Sequence, residues 1–240
     1  PPHQATASSQ VDTSTDPSRA VVCGVMEHIE EAGIHSGDST CTVPPFSLGA
    51  PIVERIRQAA RELASRLKVR GLMNVQMAFK DDNLYIIEVN PRASRTAPFV
   101  SKAKGISWAR IAAKVMMGSS LDALGAQELP ETGFYSVKEP VFPFTKFQGV
   151  DVILGPEMRS TGEVMGADRS LPVALAKARM AAGISLPTEG NVFLSVRDSD
   201  KEHCVQIARN LVSMGFKVFS TTGTHRLLES FSVDSTPLPR

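Results

Sequence analysis

The chain has 240 residues, 42% of them hydrophobic, and a net charge of +1 from 26 basic and 25 acidic side chains. That length provides one large domain or two small ones with a proper buried core. The balance of charge gives no electrostatic case for nucleic acid or an anionic membrane, and no apolar run approaches the roughly 20 residues of a bilayer-crossing helix. Cys23, Cys41 and Cys204 are odd in number and far apart, without CxxC or Cys/His spacing. Neither a disulfide framework nor a zinc site is expected, and a reducing cytoplasm is the simplest setting.

The first residues, PPHQATASSQVDTSTDPSRA, are polar and almost free of large apolar side chains, so residues 1–19 are expected to be a disordered linker. Asp12, Asp16 and the single arginine argue against a transit peptide. Ordered sequence is expected from about residue 20, where Val21, Cys23 and Val25 alternate as on one face of a strand. A loop, IHSGDSTCTVPPFSLGA, leads to PIVERIRQAARELASRLKV, with Ile52, Ile56, Ala59, Leu63 and Leu67 at helical spacing. Pro51 is tolerated in its first turn. Two strands, LMNVQMAFK and LYIIEVN, follow as a hairpin around Asp81-Asp82-Asn83.

SWARIAAKVMMG reads as a helix closed by Gly118, and residues 119–132 as loop. Strands are expected in YSVKEPVFPF and STGEVMGA, and a short helix in LPVALAKARMAA, capped by Ser170 and ended by Gly183. After GISLPTEG the style changes: strand NVFLSVRD, helix DKEHCVQIARNLVSM and strand FKVFS form a parallel, right-handed unit. A domain boundary is expected within residues 184–191, and SFSVDSTPLPR reads as tail. A single such unit cannot cover both faces of a parallel sheet, so this piece reads as truncated.

The hairpin carries the chemistry. A three-residue turn pairs Lys80 with Leu84 and therefore Gln76 with Glu88, while Asn90 shares the face of Glu88. Three oxygen-bearing side chains then converge, a donor set suited to Mg²⁺ or Mn²⁺ and not to zinc. A slip of one residue would send Gln76 to the other face. Arg92 and Arg95 lie just past the strand, beyond Pro91, and a cation beside two guanidiniums is what phosphoryl transfer requires. The competing reading is a solvated strand face with a surface ion pair; against it, Ile86 on the face of Glu88 implies partial burial.

The run GLMNVQMAFKDDNLYIIEVNPRASRTAPFVSKAKG closely resembles the carbamate-phosphorylating ATP-grasp unit of the carbamoyl-phosphate synthase large subunit. MEHIEEAGIHSGDS and YSVKEPVFPFTKFQGVDVILGPEMRSTGEVMG resemble the same family in the same order, so the match runs from about residue 20 to about 228. The resemblance implies an α+β ATP-grasp C-terminal lobe, an antiparallel sheet with helices, over 20–186. A truncated α/β regulatory unit of the methylglyoxal-synthase-like fold would follow over 187–240. The lobe preceding residue 20 in the family, which closes over the triphosphate, would be missing, making the chain a fragment.

The resemblance further implies that Gln76, Glu88 and Asn90 hold the metals. Gly33, Ile34, His35 and Ser36, with Gln76 and Glu88, would contact ATP, and Arg92 and Arg95 would lie near phosphate and carbamate. Glu30, Asp38 and Glu139 would bind ornithine, and Lys201, Thr221 and Thr224 a nucleotide monophosphate. Thr222 stands where the family often has histidine. Read as residues alone, His35 is an ordinary surface histidine, the three carboxylates are solvated groups, and STTGT is a helix N-cap. The family setting implies carbamoyl phosphate for arginine and pyrimidine synthesis, made with MgATP. The remainder of the large subunit and a glutamine amidotransferase small subunit would be the partners. A different ATP-dependent ligase and a non-catalytic effector- or partner-binding module are the competing readings.

Overall fold

The computed structural model describes residues 3–11, 19–144, 149 and 151–238. The chain divides into two compact units, Pro1–Ile184 and Ser185–Arg240.

The first unit is built on a seven-stranded antiparallel sheet, ordered β5-β4-β1-β2-β3-β6-β7 among the described residues. Its strands are β1 (His3–Val11), β2 (Ala20–His28), β3 (Cys41–Val43), β4 (Gly71–Lys80), β5 (Asn83–Asn90), β6 (Tyr135–Val141) and β7 (Gly162–Asp168). Helix α1 (Ala50–Arg66) covers one face, closing a core of Val22, Val25, Ile56, Ala60, Met73, Val75 and Met77. On the other, α2 (Thr96–Lys104) and α3 (Trp108–Met116) bury Phe99, Val100, Trp108 and Val115 against Val21, Cys23, Met26 and Leu72. Helix α4 (Leu171–Ala181) packs on β6 and β7 through Ala174 and Ala178.

Four differences from the sequence reading are informative. Residues 3–11, expected as linker, form β1 and pair with β2 on one side and β4 on the other. The slot between those strands offers backbone hydrogen bonds along both edges, which composition does not register. Val25 does not share a face with Val21 and Cys23. The β1–β2 ladder shifts between Ser8 and Ser9, adding a residue to β2, so Val21, Cys23 and Met26 pack on one side and Val22 and Val25 on the other. The buried stripe of α1 is Ile56, Ala60 and Ala64, with Ala59 and Leu63 at its border and Leu67 exposed beyond the helix. Residues 96–104, to which the sequence reading assigns no element, form α2; Pro98 in its first turns is compatible with helix because those N–H groups lack intrahelical partners.

In the second unit β8 (Asn191–Leu194) and β9 (Lys217–Thr221) are parallel, joined by α5 (Lys201–Ser213). The expected tail is ordered: α6 (Thr222–Ser230) returns the chain to β10 (Thr236–Leu238), which pairs parallel with β9. Pro237 lies within β10 at the sheet edge, where a missing N–H is tolerated. Val205, Ala208, Val218 and Leu228 form this unit's core. Among the described residues no helix is long and apolar enough to cross a membrane.

Candidate functional site

The β4–β5 hairpin sets the site. Its turn is the two-residue Asp81-Asp82, with φ of 48° and 62°, and Lys80 pairs with Asn83 in place of the expected Leu84. Positive φ at both central residues matches the twist of the flanking strands. A register shift between Gln76 and Met77 leaves Ile87 as an extra residue on β5. The two departures cancel, so Gln76 still faces Glu88, and Asn74 faces Asn90. Ile86 is 44% exposed, and the partial burial expected of it is not found.

Asn90 Nδ2 donates to Glu88 Oε1 at 2.7 Å, and Gln76 Nε2 donates to Ser36 Oγ at 2.6 Å. The Asn90 amide nitrogen thus points at the Glu88 carboxylate and that of Gln76 at Ser36, so the Asn90 amide would turn over to present its oxygen to a cation. Among the described residues no three His, Cys, Asp or Glu side chains converge. A cation here would rest on one carboxylate, two amide oxygens and oxygens of its ligand. That hard donor set fits Mg²⁺ or Mn²⁺ carrying phosphate.

These groups open on a cavity of about 250 Å³ with His35, Ser36, Arg92 and Arg95 in its wall. Arg95 Nη1 donates to Ser160 Oγ at 3.1 Å, and both Nη atoms reach the Ser160 carbonyl at 3.4 Å. Arg92 is exposed, and its Nη1 reaches the Ala93 carbonyl at 3.3 Å. Gly33 and Ile34, earlier in the same loop as His35, do not line the cavity.

Lys138 and Glu163 also line the wall, and the sequence reading did not single them out. The signal for Lys138 was the one that exposed Glu88, a charge inside an otherwise apolar strand. Lys138 is 3% exposed and its Nζ donates to the Ser36 carbonyl at 2.9 Å. Burial raises the Glu163 carboxyl above its ordinary range, against the pull of Lys138, Arg95 and Lys102. Burial, helped by the charge of Lys138, lowers His28 to about 3.

The three carboxylates grouped as an ornithine site separate. Thr40 joins two of them, its N–H donating to Glu30 Oε2 at 2.7 Å and its hydroxyl to Glu139 Oε2 at 2.9 Å. Burial raises Glu30, opposed by the hydrogen bonds at Thr40, and the charge of Glu139 raises it further. Asp38 is fully buried, accepting from the Arg159 N–H at 2.7 Å and the Ser160 N–H at 2.8 Å.

In the second unit, Lys201, Thr221 and Thr224 line a cavity of about 490 Å³ with Arg197, Asp198 and Gly223. The hydroxyls of Thr221 and Thr224 lie 3.1 Å apart at the start of α6, and Lys201 Nζ contacts Asp198 Oδ1 at 2.5 Å.

Residues 13–124 match the family described as "Carbamoyl-phosphate synthase L chain, ATP binding domain". The carbamoyl phosphate synthase large chain of Pseudomonas putida is 53% identical over 220 residues, 92% of this chain and 20% of the relative. That of Brucella suis biovar 1 is 52% identical over 233 residues, 95% of this chain and 20% of the relative. The chain thus spans about one fifth of the length of the curated relatives it matches. Among solved structures, the biotin carboxylase domain of a single-chain bacterial carboxylase aligns with a TM-score of 0.57 at 18% identity, over 75% of this chain and 46% of that one. A single-chain, multi-domain long-chain acyl-CoA carboxylase aligns with a TM-score of 0.58 at 16% identity, over 75% and 22%. At such identity the likeness speaks to fold alone, an ATP-grasp-like α/β architecture.

Proposed function

The chain belongs to the carbamoyl-phosphate synthase large-chain family, and from that premise we propose that its first unit is one lobe of a site phosphorylating carbamate with MgATP. The observation that carries the reading is the convergence of the Gln76, Glu88 and Asn90 side chains with Arg92 and Arg95 on one cavity. When bound, a divalent cation supplies charge neutralisation between nucleotide phosphates. Gln76, Glu88 and Asn90 hold it, Ser36 and His35 offer polar contacts to the nucleotide, and Arg92 and Arg95 orient the acceptor and neutralise the transferred group. No covalent nucleophile is needed. Cys41 is buried with its thiol pushed up to about 11, chiefly by that burial, so it makes a poor one.

The cavity is smaller than the roughly 300–1,000 Å³ of ordinary ligand pockets. That size supports a half-site whose opposing wall lies on another lobe, so this chain alone binds MgATP weakly. In the full assembly the product is carbamoyl phosphate for arginine and pyrimidine synthesis, in the cytoplasm, with a glutamine amidotransferase small subunit as partner. The second unit is proposed as the start of a methylglyoxal-synthase-like regulatory domain. Lys201, Thr221 and Thr224 at the α6 N-terminus suit a nucleotide monophosphate. Glu30 and Glu139 joined through Thr40 suit a cationic effector such as ornithine.

The test is ATP formation from MgADP and carbamoyl phosphate, by the chain alone and with the opposing lobe supplied in trans. Activity that appears with the second lobe and vanishes in Glu88→Ala supports the proposal. Activity indifferent to Glu88 would sink it, and ADP release dependent on biotin would move the chain to another ligase class.

A further inference from the structure

Two loops meet at Asp38. One, residues 29–40, joins β2 to β3 and carries His35 and Ser36; the other, residues 151–160, precedes β7 and brings Met158 to the cavity wall. The His35 N–H donates to the Gly155 carbonyl at 2.9 Å. The Arg159 and Ser160 N–H groups donate to the two oxygens of Asp38 at 2.7 and 2.8 Å. The Ser160 hydroxyl then donates to the Gly37 carbonyl at 3.0 Å. A Cβ at Gly37 would lie 2.8 Å from Met158 Sδ, so a side chain there would push the flexible Met158 aside.

Ser160, 4% exposed, is therefore fixed on its N–H and its hydroxyl before it meets Arg95. Its remaining acceptors, the hydroxyl lone pair and the carbonyl, take the Arg95 guanidinium at 3.1 and 3.4 Å. A buried carboxylate with both oxygens on backbone N–H groups is a clamp of the strong, charge-assisted kind.

We propose that Asp38 and Ser160 are positioning residues for Arg95. Asp38 seats residues 151–160 on the nucleotide-side loop, and the seated Ser160 holds the guanidinium toward the cavity. With the loop unseated, Arg95 loses its acceptors and swings into solvent, while Arg92, which among the described residues donates to its neighbour's carbonyl, is unaffected. The value of this positioning to catalysis rests on the phosphoryl-transfer reading; the geometry itself does not.

The test is phenylglyoxal labelling of the 240-residue chain, with the modification rate at Arg95 and Arg92 read by peptide mass spectrometry. In Ser160→Ala and Asp38→Asn, Arg95 labels at least about threefold faster, as expected when a hydrogen bond to a charged group is lost, while Arg92 keeps its rate. Ser160→Cys, which preserves volume and lacks the hydroxyl, repeats the measurement should alanine lower the melting temperature. An unchanged Arg95 rate, or equal acceleration at both arginines, overturns the proposal. In the ATP-forming assay the same variants lower kcat and leave KM for MgADP unchanged. Labelling that responds in a chain whose activity ignores Glu88 would sustain the positioning and reject the phosphoryl-transfer reading.

Discussion

Gln76 on β4 lies directly across from Glu88 on β5, although the turn between them is one residue shorter than the simplest pairing assumes. The extra residue at Ile87 restores the register at the site end of the hairpin. Cross-strand partners share a face, so deleting Ile87 removes the bulge and leaves Glu88 across from Gln76 and Asn90 across from Asn74. That deletion is expected to retain Mn²⁺ binding in the presence of ADP, measured by electron paramagnetic resonance. Glu88→Ala lowers the same affinity at least about tenfold while shifting stability by less than about 0.5 kcal/mol, since the side chain is exposed. Unchanged Mn²⁺ binding in Glu88→Ala would refute the metal assignment.

Helix α4 touches β7 without intervening side chains. A Cβ at Gly166 would lie 2.3 Å from the Ala174 carbonyl oxygen and 2.4 Å from the Ala178 nitrogen. Both are backbone atoms within a helix and cannot turn aside. Gly166→Ala is expected to cost about 2–3 kcal/mol, a fall of roughly 5–10 °C in Tm by calorimetry.

Glu27 is fully buried, and its Oε2 accepts from the Phe46 and Ser47 N–H groups at 2.8 Å and from Leu48 at 3.3 Å. The Ser47 hydroxyl donates to its other oxygen. The carboxylate thus satisfies the chain just ahead of α1. Glu27→Ala, which strands those donors, is expected to cost about 3–5 kcal/mol. Glu27→Gln keeps one acceptor oxygen and should cost about half as much. Urea denaturation gives both values, and equal losses would show that charge, and not donor satisfaction, matters here.

His28 gives a pH dependence with a definite sign. Its pKa falls from 6.5 to about 3 in the fold, because burial and Lys138 disfavour the imidazolium. Its contribution to stability is full above 6.5 and is lost as pH falls toward 3. While the unfolded chain alone holds the proton, stability declines by about 1.4 kcal/mol per pH unit from this group. His28→Gln should reduce the slope of unfolding free energy between about pH 6 and pH 5 by nearly that amount. An unaltered slope would mean that His28 is charged in the folded protein.

The sequence by itself determined the elements whose signals are local. Polar residues at Gln76, Glu88 and Asn90, set into apolar strands, marked the face of the hairpin. Pro91 with Arg92 and Arg95 marked its end. Helical spacing located α1 and α3, and Gly118 marked the end of α3. What only the tertiary structure decided depends on partners distant in the chain. Backbone pairing admits β1 to the sheet despite a composition typical of linkers, and the bulges in β2 and β5 reassign faces that strict alternation would set otherwise. Lys138 belongs to the site because β6 lies next to β3, which turns its ammonium onto Ser36, 102 residues away. Asp38 and Ser160, 122 residues apart, show why spacing could not pair them. A carboxylate's role is fixed by which donors the fold brings to it, and a linear sequence records the carboxylate without those donors.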